Sequence, residues 1–196
     1  MTRVTLVAVQ VLIFLGCSVI LWGDSAAHQP NLVGLQTHTM VQDPEVSKAY
    51  YGELPGKPAA FEIRCDTSFS LYVNLLVPDI SGARTDFSAD IYADGELLTR
   101  LDGSQYHWTT FYEPFGNDTY LKGPEYRSNV GPGVYRIQVS NGENRGKYVL
   151  AVGELEKFPP RVILRTLITL PKLKRDFFGK SPWLDPFSRL WRLFHH

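Results

Sequence analysis

Five histidines, two cysteines and twenty carboxylates are the groups this 196-residue chain offers for metal or acid–base chemistry. Few stand at a spacing that such chemistry requires. A zinc protease sets two histidines one helical turn apart with a glutamate beside the first, and no His-Glu-x-x-His occurs. The chain also lacks a Gly-x-Ser-x-Gly elbow and a glycine-rich phosphate loop ending in Lys-Ser or Lys-Thr. Asp102, Ser104 and His107 carry the group types of a hydrolytic triad, but Asp102-Gly103-Ser104 reads first as a turn. No catalytic constellation emerges, and the residues favour a binding or structural protein over an enzyme.

Two metal readings survive. If the chain is cut after Ala27, His28 presents a free α-amine beside its imidazole, a nitrogen pair that chelates Cu(II). His38 or His107 would supply a third nitrogen if the lead folds across the domain. Asp79 and Asp86, with Asp90 and Asp94 nearby, offer hard oxygens to calcium, although without the interval pattern of a calcium loop. Apart from copper or calcium at these positions, no cofactor is expected. Cys17 lies inside an apolar run instead of closing it, which argues against lipidation. Cys65 ends an alternating segment and reads as a small buried residue.

Aromatic residues are dense from Tyr106 to Phe115. There Trp108, Tyr112 and Phe115 are candidates for contact with a carbohydrate or a protein partner, with core packing as the plain alternative. A second aromatic set closes the chain. After Asp185-Pro186, a helix-start signature, Phe187, Leu190, Trp191 and Phe194 recur at i, i+3, i+4 and i+7, with Arg189 and Arg192 beside them. Such a segment can lay its aromatic face in a bilayer interface with arginines near phosphates, and it is too short and too charged to span. Packing back onto its own body is the other option.

Charge divides the same way. Residues 28–156 hold 17 acidic and 10 basic side chains, whereas residues 157–196 hold nine basic and two acidic ones, so the zero net charge hides an acidic body and a basic tail. An acidic body disfavours nucleic acid.

The elements that must position these groups are mostly strands. Ala60–Cys65, Leu71–Val77 and Phe87–Ala93 alternate apolar and polar residues, and Asp94-Gly95 is a hairpin signal before Leu97-Leu98. Further strands are expected at 107–112, 120–126, 134–139 and 147–152, the last two as an antiparallel pair across Asn141–Gly146. The fold class is therefore all-β, an antiparallel β-sandwich or jelly roll with a short helical basic C-terminal appendage. His28–Tyr50 reads as an irregular lead, and Gly52–Pro58 as a turn-rich entry. Beyond Pro159-Pro160 the apolar residues Val162–Leu170 suggest a short helix that Pro171 stops.

Val4–Trp22 is uncharged, and Ser25 and Ala27 are small residues at the positions a signal peptidase reads. Residues 1–27 are expected to be a signal peptide, with an uncleaved transmembrane anchor as the alternative. Either places the body outside the cytoplasm, in the periplasm or on the extracytoplasmic face of a membrane. The parts are then the leader (1–27), the β domain (28–156) and the basic amphipathic tail (157–196).

Leu71–Asp79, Asp86-Phe87-Ser88, Phe111–Gly116, Tyr120–Tyr126, Gly146–Glu154 and Leu170–Pro182 together resemble a group of uncharacterised exported β-sandwich proteins of bacteria and archaea. The final strands are also similar to pre-peptidase C-terminal domains of secreted proteases. The first resemblance implies export and a sandwich fold. It also implies that the end after Phe177–Pro182 can run into a membrane anchor, whose counterpart here is the short Phe187–Phe194 segment. Taken together, the expected role is a non-catalytic interaction or structural domain of the cell envelope, partnered by an envelope protein or a membrane surface. A periplasmic copper-binding protein and a carbohydrate-binding module are the alternatives.

Overall fold

An extended chain sends alternate side chains to opposite faces, so the period-two segments each bury one row of apolar groups. In the computed structural model, which describes residues 28–113, 118–157 and 160–179, these rows close on one another between two sheets. The strands are β1 (Gln29–Gly34), β2 (His38–Met40), β3 (Lys48–Pro55), β4 (Ala59–Cys65), β5 (Phe69–Pro78), β6 (Ser88–Ala93), β7 (Glu96–Asp102), β8 (Thr109–Glu113), β9 (Asp118–Val130), β10 (Gly133–Ser140) and β11 (Arg145–Val152). Among the described residues one helix, α1 (Pro160–Asp176), follows them. A six-stranded sheet runs β1-β3-β11-β5-β9-β8 and a five-stranded sheet runs β2-β4-β10-β6-β7. Phe61, Leu71, Leu75, Ile91, Ile137 and Leu150 are fully buried between them. The protein is an all-β sandwich with a short helical C-terminal piece.

The Asp94-Gly95 hairpin forms as its residues suggest, with φ of 48° and 93° at the two turn positions. The Asp94 carboxylate also accepts the Val134 N–H at 2.9 Å, tying the turn to β10. Asp102-Gly103-Ser104 is a turn as well, in which Asp102 accepts the Ser104 N–H at 2.9 Å and its hydroxyl at 2.7 Å.

Four local expectations are corrected. The lead is not irregular: β1 pairs in parallel with β3, and β2 in parallel with β4, each at the edge of an otherwise antiparallel sheet. Val33, Val41 and Tyr50 of this stretch join the central core, too widely spaced to print a periodicity. Gly52 lies within β3 instead of in a turn, paired with Tyr148, and a Cβ there would stand 2.5 Å from the buried Tyr148 ring. β10 and β11 are not a pair; they belong to different sheets. Asn141 shapes the loop that carries the chain between them, accepting the Arg145 N–H at 3.1 Å and donating to its carbonyl at 2.8 Å. Finally, Pro171 does not stop the helix, which continues through it to Asp176. Tertiary contacts beyond the proline, described next, outweigh its missing hydrogen bond.

Candidate functional site: the helix-covered sheet

The outward faces of the two sheets differ in kind. On the five-stranded sheet one cross-strand row reads Met40, Glu62, Arg136, Tyr92 and Leu97, a mixed and partly charged surface. The Arg136 guanidinium lies over the Tyr92 ring at 5.0 Å. On the six-stranded sheet the outward residues Ala49, Tyr51, Leu76, Tyr120, Val149 and Ala151 are buried beneath Leu173, Phe177 and Phe178. An apolar sheet face must be covered, and here the chain's own end covers it.

Three kinds of contact fasten α1. Tyr51 meets Phe177 edge-on at 5.2 Å and Tyr120 meets Phe178 at 5.4 Å, the arrangement that ring quadrupoles prefer. The Lys174 ammonium lies 3.2 and 3.3 Å from the two oxygens of Asp118, with the side chains 10% and 1% exposed, so the pair is desolvated and closely held. Lys147, from β11, donates to the carbonyls of Asp176 (3.1 Å) and Phe177 (2.8 Å) at the helix end, where carbonyls lack intrahelical partners. Gly179, at φ 64°, takes the left-handed conformation common just past a helix.

Between helix and sheet, His28, Tyr51, Glu113, Asp118, Tyr120 and Leu170 border a cleft of about 20 Å³, room for a water and not for an organic ligand. The Tyr51 and Tyr120 hydroxyls share a hydrogen bond at 3.0 Å, and burial pushes both phenols well above their usual range. His28 Nδ1 shares a hydrogen bond with the Ser47 hydroxyl at 2.5 Å. Burial lowers the His28 pKa from 6.5 to about 4, so the ring is neutral at pH 7 and a poor proton acceptor. Neutral phenols, a neutral imidazole and a carboxylate held by lysine fasten the helix to the sheet here.

The residues singled out in the sequence fall elsewhere. His38 is on β2 of the opposite sheet, 3.6 Å from Glu62, and His107 is exposed between β7 and β8, so neither joins His28. Among the described residues no group of three His, Cys, Asp or Glu side chains is placed to hold a metal ion. Asp86 accepts two hydrogen bonds from Arg84, at 3.0 and 2.6 Å, which hold its carboxyl below the usual range. Asp79, toward the other end of that loop, is exposed.

The Trp108 indole packs on two glycines: a Cβ at Gly103 or Gly123 would stand 2.7 or 2.6 Å from the ring, and its N–H donates to the Gly103 carbonyl at 2.7 Å. Tyr112 is 50% exposed. Cys65 is a half-buried free thiol whose pKa burial raises. Phe115, the leader (1–27) and the candidate membrane residues Phe187, Arg189, Leu190, Trp191, Arg192 and Phe194 lie outside the described residues.

The sequence reading missed Asp118, Lys174 and Lys147. Asp118 sits in a Gly-Asn-Asp-Thr run that looks like any solvated turn, and Lys174 in a Lys-Leu-Lys-Arg run that looks like surface. A usable signal was present at Leu170, Leu173 and Phe177, which continue one helical face past Pro171.

No protein-family model matches the chain, and no curated protein matches it. Among solved structures it is similar to the pre-peptidase C-terminal domain of a collagenase from Bacillus anthracis. That match has 14% identity and a TM-score of 0.34, and covers 66% of this chain and 98% of that one. A β-glucosidase from Paenibacillus barengoltzii matches at 10% identity and a TM-score of 0.27, over 64% of this chain and 13% of the other. The catalytic domain of an α-1,3-glucanase, in complex with nigerose, matches at 14% and 0.24, over 56% and 23%. The chain thus spans a small part of either glycosidase. Likenesses of this size carry no argument about ligand or activity.

Proposed function

We propose that the protein is a non-catalytic domain of the cell envelope, exported from the cytoplasm and held at a membrane surface by its C-terminal segment. The observation that carries this reading is the fastening of α1. Apolar contacts, the Lys174–Asp118 pair and the Lys147 cap bind the helix to the sheet as far as Phe178. The sequence beyond Gly179 then brings Phe187, Leu190, Trp191 and Phe194 at helical spacing, with Arg189 and Arg192. The helix that precedes this segment is thus fastened to the β body as far as Phe178. The engaged state of the titratable groups around the cleft supports a structural or interaction role over catalysis.

Flotation of the chain from His28 to His196 with liposomes tests the reading. The protein is expected to float with vesicles, partly resistant to salt because aromatic insertion is not screened. Deleting residues 183–196 should remove the salt-resistant fraction. If that fraction persists after deletion, or the intact chain never floats, the attachment is elsewhere or absent. Export is checked by intact mass on protein from the native envelope, where a chain beginning at Met1 or at His28 tells a retained anchor from a cleaved leader.

A further inference from the structure

The docked helix has a second face. At 100° per residue, positions 161, 165, 172 and 175 fall within an arc of about 80° on α1, and the outermost of them are about 21 Å apart along its axis. All four are basic: Arg161, Arg165, Lys172 and Arg175. Leu170, Leu173 and Phe177 centre on the opposite side, and Leu173 and Phe177 are buried against the sheet. Lys172 and Arg175 are exposed. The Arg175 guanidinium is within 2.7 Å of Asp176, so part of its charge is answered locally.

We propose that this basic stripe is a docking surface for anionic phospholipid headgroups, so that the helix-covered side of the six-stranded sheet faces the bilayer. The inference rests on the membrane reading above but uses different residues. Two observations favour lipid. First, residues 28–156 carry 17 acidic against 10 basic side chains, yet Lys174, turned inward, answers one of those carboxylates while Lys172 and Arg175 are turned away. A helix whose basic side served the acidic body would be rotated the other way. Second, the stripe belongs to the same basic tail, nine basic against two acidic residues over 157–196, that carries Arg189 and Arg192. This orientation leaves the row Met40, Glu62, Arg136, Tyr92 and Leu97 on the far side, open to a partner.

The test uses the full chain from His28 and vesicles of phosphatidylcholine with or without phosphatidylglycerol. Each basic residue near an anionic surface changes partitioning about fivefold. The variant Arg161→Gln, Arg165→Gln, Lys172→Gln should therefore bind anionic vesicles on the order of a hundredfold more weakly, with little change on phosphatidylcholine alone. Its thermal melt should match the parent, since helical spacing sets the exchanged positions opposite Leu173 and Phe177, and Lys172 is exposed. Arg161→Lys with Arg165→Lys should retain binding, which assigns the effect to charge. In the chain lacking 183–196, the stripe should still give a salt-sensitive fraction that the triple exchange removes; this outcome supports the stripe whether or not the aromatic segment inserts. A folded triple variant that binds anionic vesicles like the parent overturns the proposal, even where deletion of 183–196 abolishes binding and so upholds the aromatic attachment. Binding to polyglutamate without binding to anionic vesicles overturns it too, in favour of an acidic protein partner.

Discussion

The imidazole of His28 is half-buried beside Ser47, and lost hydration lowers its pKa from 6.5 to about 4. An unfolded chain takes up this proton near pH 6.5, the folded one only near pH 4. Between those values the unfolded state binds more protons, so the contribution is complete above about pH 7 and is lost as pH falls toward 4. It amounts to at most about 3 kcal/mol. The urea midpoint of the parent should fall relative to that of His28→Gln as pH drops from about 7.5 to about 4.5, because the variant has no such proton to gain. Parallel curves would mean that His28 is hydrated in the folded protein. The Trp108 indole is likewise placed by its neighbours, lying partly buried against Gly103 and Gly123.

At the scale of elements, α1 tolerates a proline that should end it. An interior proline forgoes one hydrogen bond and crowds the preceding turn, a cost of about 3 kcal/mol. Burial of Leu173, Phe177 and Phe178 beyond it offsets that cost, since each large apolar side chain contributes about 1.5–3 kcal/mol. Pro171 itself is exposed. Pro171→Ala should therefore raise the melting temperature, by an amount corresponding to about 1–3 kcal/mol. A lowered melting temperature would show instead that a bend at Pro171 is needed to seat Phe177 and Phe178. The β10–β11 connection makes the complementary point about loops. Its turn residues mark where the chain reverses, and Asn141 and the sheet it must reach set the direction.

For the whole molecule, the boundary at residue 156 divides composition more cleanly than it divides structure. Removing everything after it would uncover Tyr51, Leu76, Tyr120 and Val149, and would leave the 1%-exposed Asp118 without Lys174. Taking one partner from a buried pair costs about 3–5 kcal/mol, and the bared face adds to this. A 28–156 fragment should bind a hydrophobic dye and unfold at lower urea than a 28–179 fragment, which keeps the helix and omits the aromatic end. Equal stability of the two fragments would show that α1 covers the sheet without stabilising it. Among the described residues, the basic tail and the acidic body are thus joined by the buried Lys174–Asp118 pair, the Lys147 cap and apolar contact.

Period-two segments from Ala59 to Val152 disclose a sandwich by themselves, because alternation on an extended chain is a local property that no partner has to supply. The Asp94-Gly95 hairpin and the Asp102 turn are legible for the same reason: their conformations are set within a few residues. What stayed hidden is whatever depends on residues far apart in the chain. Parallel β1 and β2 each need a neighbour to be strands at all, β10 and β11 separate because each finds better partners in its own sheet, and Gly52 is explained by Tyr148. Asp118 and Lys174 are 56 residues apart, and nothing local distinguishes either from a surface charge. Composition could announce a basic tail, but only the packed sheet decides which of its basic residues turns inward to fasten it and which remain outside.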